Sequence, residues 1–290
     1  MNVHHQTSFK TVPVRRHDLH CAFTLTELLV VLATLGILAV VLLPALASNQ
    51  SGSSKALQCL NNMRQMAVAW TLYAADNQDK LAINSDPHAG SGPAILSWAA
   101  GVLDWTASVQ NTNTAYLIND RVSLLGSYVG RSVGVFACPA TATFLSPVQR
   151  SLGWPARCRS VAMDAAVGDG NKYEQPDNPF GWASWYVARK STDFHTPAPG
   201  SIWVFGDEHP DSIDDCLMYT ANYATTTITE LPGSQHEGAG GVAFADGHSE
   251  IHKWQGIAAR QPVQFIVKQQ IACPLNDPDM LWLAQHTPVN

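Results

Sequence analysis

A long apolar run dominates the pattern near the start of the chain. From Leu28 to Leu46 nearly every residue is hydrophobic. An α-helix of this length extends for about 28 Å, close to the thickness of the hydrocarbon core of a bilayer. The pattern therefore predicts a transmembrane helix over residues 23–47.

Helical spacing resumes after a short polar stretch. Over residues 48–79 apolar residues recur at intervals of three and four, as in an amphipathic helix. They are Leu57, Leu60, Met63, Ala67, Trp70 and Ala74. A single helix from about Leu25 to Ala75 would extend for roughly 75 Å. We therefore expect residues 48–79 to continue the transmembrane helix.

The rest of the chain, residues 80–290, alternates short apolar runs with turns. Residues 201–205 are typical of a buried strand, and residues 133–137 predict a short strand before a proline. Residues 241–254 hold an Asp-Gly turn between two apolar runs, which favours a β-hairpin. The predicted fold class is α+β: a long N-terminal transmembrane helix that continues into a globular, pilin-like head with an antiparallel β-sheet.

Composition and charge limit the classes of function that fit the chain. The 290 residues are 46% hydrophobic and 14% charged, with a formal net charge of −6. Such a chain is long enough to bury a sizeable core. Its few basic residues are scattered, which argues against a nucleic-acid partner.

The six cysteines leave their role open. None of them forms a CxxC pair, which argues against a zinc ribbon. Cys138 and Cys158 are the closest pair within the head. A disulfide between them and two small buried thiols both fit this spacing.

Charged residues surround and enter the apolar run. Lys10, Arg15 and Arg16 precede it, and positive charge on this side predicts a cytoplasmic N-terminus and a head outside the cytoplasm. Glu27 lies near its beginning, where a carboxylate is costly and by default functional. A conventional signal peptide cut after Ala47 and a plain membrane anchor both fit the run, but neither explains this acid.

The stretch Ala22-Phe23-Thr24-Leu25-Thr26-Glu27-Leu28-Leu29 resembles the class III signal of type IV pilins and type II secretion pseudopilins. The resemblance implies a cytoplasmic leader, residues 1–22, which a prepilin peptidase removes by cutting between Ala22 and Phe23. Phe23 would then be methylated, and Glu27 would pair with its amino group on a neighbouring subunit. Ala22 departs from the glycine usual before the cut, but it is also small. Pro44 lies where pilin helices often carry a proline that allows a kink.

This resemblance predicts a structural role. The chain would be a prepilin-like subunit that an inner-membrane assembly platform builds, with other pilin-like subunits, into a type II secretion pseudopilus or a type IV pilus-like filament. It would be a single-pass inner-membrane protein with a cytoplasmic N-terminus and a periplasmic or extracellular head. The alternative is a membrane-anchored periplasmic protein that binds a ligand or a metal and does not assemble.

A second motif lies in the C-terminal part of the chain. His236 is followed by nine residues and then by Asp246 and Gly247. This spacing resembles the H-X9-DG motif of large prepilin-like proteins of planctomycete and verrucomicrobial type. A purely structural interpretation has His236 bridging across the hairpin to Asp246.

Two sets of side chains in the head could bind a metal. Oxygen ligands that suit a structural Ca²⁺ ion occur within eight residues; they are Asp207, Glu208, Asp211 and Asp214. A transition metal would instead use His236, Asp246 and His248. The sequence holds no Gly-x-Ser-x-Gly, His-Glu-x-x-His or P-loop motif, and we predict that the protein is not an enzyme.

Overall fold

The computed structural model describes a large part of the chain in seven ranges. They are residues 25–34, 52–86, 95–168, 187–220, 226–228, 230–267 and 271–288. The chain divides into two compact units, Met1–Asn49 and Gln50–Asn290. The predicted cleavage site at Ala22 and Phe23, and Pro44, lie outside the described residues.

The described part of the first unit is a helix, α1, at residues 25–34. All of its described residues are exposed. Helix α2, at Gly52–Asp76, is long enough for a membrane crossing but carries many polar residues. Within the described ranges, no helix combines the length and the apolarity that a membrane crossing needs. This finding corrects two predictions, the transmembrane helix of the fold class and the single-pass inner-membrane location.

Helix α2 opens the second unit and buries one face. Its buried residues follow the three-and-four spacing of the sequence pattern and include Cys59, Met63, Met66, Trp70 and Ala74. Apolar residues at this spacing share one side of a helix, so the face that they form packs on the sheet.

The second unit is built on a five-stranded sheet. Its strands, in chain order, are β1 Val161–Asp164, β2 Trp203–Asp207, β3 Leu217–Met218, β5 Ala239–Phe244 and β6 Ser249–Lys253. They lie in the order β3-β1-β2-β5-β6. A separate pair joins β4 at Thr227–Ile228 to β7 at Ile271–Ala272.

The sheet is mixed, which corrects the predicted antiparallel sheet. Strands β1, β2, β5 and β6 pair antiparallel, but β3 runs parallel to β1, with Met163 opposite Leu217. The parallel partner is two residues long. A strand of that length shows no alternation of side chains, so the sequence pattern cannot reveal it.

The sheet lies between two hydrophobic clusters. On one side α2 packs with Trp98, Phe136 and Phe205. On the other side Trp203 and Phe244 pack with helix α5, Pro278–Gln285. A register shift between Trp203 and Phe205 explains how two residues that are two positions apart on β2 reach opposite clusters.

Short helices complete the second unit. They are α3 at Ala115–Ile118 and α4 at Pro147–Ser151, with 3₁₀ turns that include Val133–Phe136. The last of these replaces the strand predicted over residues 133–137. Its apolar residues Val135 and Phe136 are buried, and burial alone does not distinguish a short strand from a helical turn.

Candidate metal centre

Four side chains from distant parts of the chain meet beneath α2. The ligand atoms of Cys59, Cys138, Asp207 and His236 all lie within 4.8 Å of one another. The thiols and the carboxylate are buried, with exposed fractions of 0%, 2% and 1% for Cys59, Cys138 and Asp207. His236 is partly buried. Thiol, imidazole and carboxylate groups in this arrangement can hold a metal ion.

Each residue is positioned by a different element. Cys59 lies on the buried face of α2, and Asp207 is the last residue of β2. Cys138 follows the 3₁₀ turn Val133–Phe136, and His236 lies in the turn that leads into β5. That turn needs two successive residues with positive φ, Glu237 and Gly238.

Two close contacts join the four side chains in pairs. The thiol of Cys59 donates to Oδ2 of Asp207 at 2.8 Å. The Sγ atom of Cys138 lies 3.1 Å from Nε2 of His236.

Neighbouring groups hold the carboxylate and the second thiol in place. The hydroxyl of Ser160 donates to Oδ1 of Asp207 at 3.2 Å and accepts from the backbone N–H of Cys138 at 2.7 Å. The backbone N–H of Gly241 donates to Oδ2 of Asp207 at 3.1 Å. A Cβ atom at Gly241 would lie 2.7 Å from the Cys59 sulfur. Glycine is therefore required at this point, because a larger residue would displace the thiol.

The electrostatics follow from burial and from these contacts. Burial raises the pKa of the Asp207 carboxyl to about 8. The hydrogen bond with Cys59 lowers the pKa of Cys138 to about 5, and it raises the pKa of Cys59. The contact with Cys138 raises the pKa of His236. At neutral pH Cys138 is therefore a thiolate, and its negative charge favours the protonated form of the neighbouring imidazole.

The predicted calcium ligands do not come together as one site. Asp207 belongs to the thiol cluster, whereas Asp211 accepts from the backbone N–H groups of Gln264 and Phe265 at 2.7 and 2.9 Å. Glu208 accepts from the Ser212 hydroxyl at 2.9 Å. These four acids are close in sequence, but their side chains make different contacts. Their carboxylate oxygens therefore do not converge on one point.

Asp214 contributes to a separate group of buried acids. Its carboxylate oxygens lie within 4.8 Å of those of Asp215 and Glu230. Burial raises the pKa of Asp215 and of Glu230 well above the ordinary range. Backbone N–H groups of Leu217 and Tyr219 already bind these two carboxylates. Burial favours the neutral form of Asp215 and Glu230, and hydrogen bonds from the backbone give this group a structural explanation.

The predicted transition-metal set is also divided. His236 lies before β5, while Asp246 and His248 lie in the turn that follows it. Asp246 pairs with His248 within this turn, and its Oδ1 lies 2.5 Å from Nδ1 of His248. Gly247, with φ of +93°, forms the turn into β6. The nine residues between His236 and Asp246 thus consist of strand β5 and parts of the turns at its two ends. His236 contacts Cys138 and does not bridge to Asp246.

Sequence reasoning missed both cysteines of the cluster. Cys59 is separated from Asp207 by 148 positions, and Cys138 from His236 by 98. Metal sites are recognised in sequences by short spacings such as CxxC, and this cluster has none. The five described cysteines are free, so the disulfide interpretation of Cys138 and Cys158 is not supported.

Comparison with known proteins finds no matching family model, no similar curated protein and no similar solved structure. The function must therefore be argued from the residues and the geometry themselves.

Proposed function

We propose that this chain is a structural subunit of the pilin and pseudopilin type, cut between Ala22 and Phe23 and assembled from many copies through its N-terminal helix. The observation that carries the proposal is the exposed apolar surface of α1. Six of its large apolar side chains are between 46% and 76% exposed. They are Leu25, Leu28, Leu29, Val30, Val31 and Leu32.

An apolar helix of this kind needs a partner surface, since a contiguous exposed patch marks an interaction site. A second copy of the same helix suits it because Glu27 lies in the same segment. The amino group that cleavage creates at Phe23 would supply the opposite charge from a neighbouring copy. Contact between copies would bury this exposed acid, and its pairing with the amino group would fix the register between them.

The proposed role is structural and not catalytic. Cys138 and His236 form the contact that a nucleophile and its base would need. However, Cys138 is 2% exposed. The nearby open cleft of about 450 Å³ is lined by residues such as Glu237, Arg260 and Gln261, and neither Cys138 nor His236 is among the residues that line it.

Mass spectrometry of the N-terminus tests the proposal. Protein from native cells should give a mature chain that begins at Phe23 and carries one added methyl group. A chain that begins at Met1 or Ser48 would contradict it and favour the alternative, a ligand- or metal-binding protein that does not assemble. The cleft beside Arg260 would then be the first place to search for the ligand.

A variant pair tests the role of Glu27. Glu27→Gln should abolish or strongly reduce assembly while cleavage continues, because the charge pair is lost but the shape is kept. Thr34→Val is the matched control: it removes a local hydrogen bond to the Val31 carbonyl at 2.9 Å and leaves the charge unchanged. Equal assembly of both variants would contradict the proposal.

A further inference from the structure

We propose that Cys59, Cys138, Asp207 and His236 bind one zinc ion, which joins helix α2 to the end of the central strand β2 and to two loops. The inference goes beyond the proposed function and is independent of it. A zinc site would exist in the second unit whether or not the chain forms a filament.

The number and spacing of the ligands fit a closed zinc site. Structural zinc takes four protein ligands in a tetrahedron, at about 2.3 Å for sulfur and about 2.0–2.2 Å for nitrogen and oxygen, so that neighbouring ligand atoms lie about 3.3–3.8 Å apart. The two measured contacts are 2.8 and 3.1 Å, and all ligand atoms lie within 4.8 Å. Shifts of less than about 1 Å would turn this cluster into a tetrahedron.

The chemistry of the ligands selects the metal. Two sulfur atoms, one imidazole and one carboxylate suit zinc, whereas Ca²⁺ and Mg²⁺ take oxygen ligands. Binding replaces the hydrogen bonds inside the cluster with four bonds to the ion. The proton on Cys59 and any proton on Asp207 or His236 leave to solvent, and nothing is oxidised or reduced.

The residues around the cluster hold its ligands in position. Oδ1 of Asp207 and the N–H of Cys138 are both fixed by Ser160, as second-shell groups orient metal ligands. Gly241 leaves space for the Cys59 sulfur. Three of the four ligands are buried and His236 is partly buried, so the histidine side provides the route by which an ion enters.

The position of the cluster gives the ion its role. The four ligands come from α2, the segment after a 3₁₀ turn, β2 and the turn before β5. Joining segments that are far apart in sequence stabilises the folded state, because these ligands are not assembled in the unfolded chain. The ion would therefore act as a cross-link between α2 and the rest of the second unit.

Metal analysis of the full chain, expressed with zinc and purified under reducing conditions, is the direct test. Close to one zinc per chain is expected. Exchange for Co²⁺ should give the visible bands of a tetrahedral ion and a near-ultraviolet band from thiolate ligation. Cys59→Ser and Cys138→Ser should each weaken the thiolate band and lower the metal content. Cys158→Ser is the matched control, because this free cysteine lies outside the cluster, and it should change neither.

Thermal unfolding keeps the proposal testable if the variants do not fold. Removing the metal from the wild-type chain with a chelator should lower its Tm by about 10 °C, and adding zinc back should restore it. Three results would overturn the proposal: no retained zinc or cobalt, an unchanged Tm after metal removal, or a Cys59–Cys138 disulfide in the native protein. None of them would affect the N-terminal mass that tests the filament proposal.

Discussion

At the scale of single residues, burial changes the pKa of the Asp164 carboxyl group. It ends β1 with an exposed fraction of 0%. Its Oδ1 accepts from the backbone N–H of Ala166 at 2.9 Å. Burial raises its pKa to about 8, so the group is mostly neutral at pH 7.

We expect Asp164→Asn to make the stability of the protein depend less on pH between pH 5 and pH 8. A carboxyl whose folded pKa is raised stabilises the fold fully below its unfolded pKa of about 4, and this contribution is lost as the pH rises towards 8. The amide does not titrate, so the variant should gain about 3 kcal/mol relative to the wild type between pH 5 and pH 8. Urea unfolding at several pH values measures this difference, and a difference that is constant with pH would contradict it.

Gly241 is the residue where the packing of the candidate metal centre can be tested without touching a ligand. A Cβ atom there would lie 2.7 Å from the Cys59 sulfur and 3.1 Å from Oδ2 of Asp207. Gly241→Ala should cost about 1–3 kcal/mol of stability through overpacking. Gly134→Ala is the control, since a Cβ atom there meets nothing within 4 Å. Comparable losses in both variants, measured by denaturant unfolding, would contradict the overpacking expected at Gly241.

At the scale of elements, Asn62 joins α2 to the segment that carries Cys138. Its side-chain amide donates to the carbonyls of Gly134 and Ala137, both at 3.0 Å. Asn62 is 6% exposed, whereas the adjacent Asn61 is exposed. This one side chain therefore supports the position of a candidate ligand from the opposite element.

Replacing Asn62 should loosen that junction. Asn62→Ala removes two hydrogen bonds and leaves two carbonyls short of a donor, which should cost about 1–3 kcal/mol. Asn61→Ala changes the same residue type one position away and should stay within about 0.5 kcal/mol of the wild type. Chemical denaturation of the two variants measures both effects. Alanine favours a helix more than asparagine does, so an Asn61→Ala variant as damaged as Asn62→Ala would contradict the role given to the Asn62 hydrogen bonds.

Elements with a repeated local pattern could be predicted from the sequence. The spacing of Met63, Trp70 and Ala74 indicated α2, and the Asp-Gly pair indicated the turn between β5 and β6, which the structure places at Asp246 and Gly247. Strand β3 and the 3₁₀ turn Val133–Phe136 could not be predicted. Their few residues have no period of their own, and long-range packing decides their conformation.

The candidate metal centre was predictable only in part, for a related reason. Two of the ligands were predicted as metal ligands from local patterns. His236 begins the H-X9-DG motif, and Asp207 begins a run of closely spaced acids. Cys59 lies within an ordinary apolar stripe, and Cys138 follows a short apolar run. Only the packing of α2 against the sheet brings these four residues together, and no local spacing records it.

At the scale of the whole molecule, the two hydrophobic clusters and the exposed apolar helix belong to different units. Both hydrophobic clusters consist of residues from the unit Gln50–Asn290. The exposed apolar helix at residues 25–34 belongs to the unit Met1–Asn49. Folding of the second unit and association through the first are therefore expected to be separable properties.

A chain that begins at Gln50 tests this separation. It should unfold at nearly the same Tm as the full chain, because every residue of the two clusters is retained. It should also remain monomeric where the full chain associates, because the exposed side chains of residues 25–34 that need a partner are gone. Calorimetry and light scattering measure the two properties, with full-length Glu27→Gln as the control that keeps the apolar surface but not the charge. A truncated chain that melts well below the full chain would mean that residues before Gln50 support the core. One that still associates would place the contact between copies in the second unit.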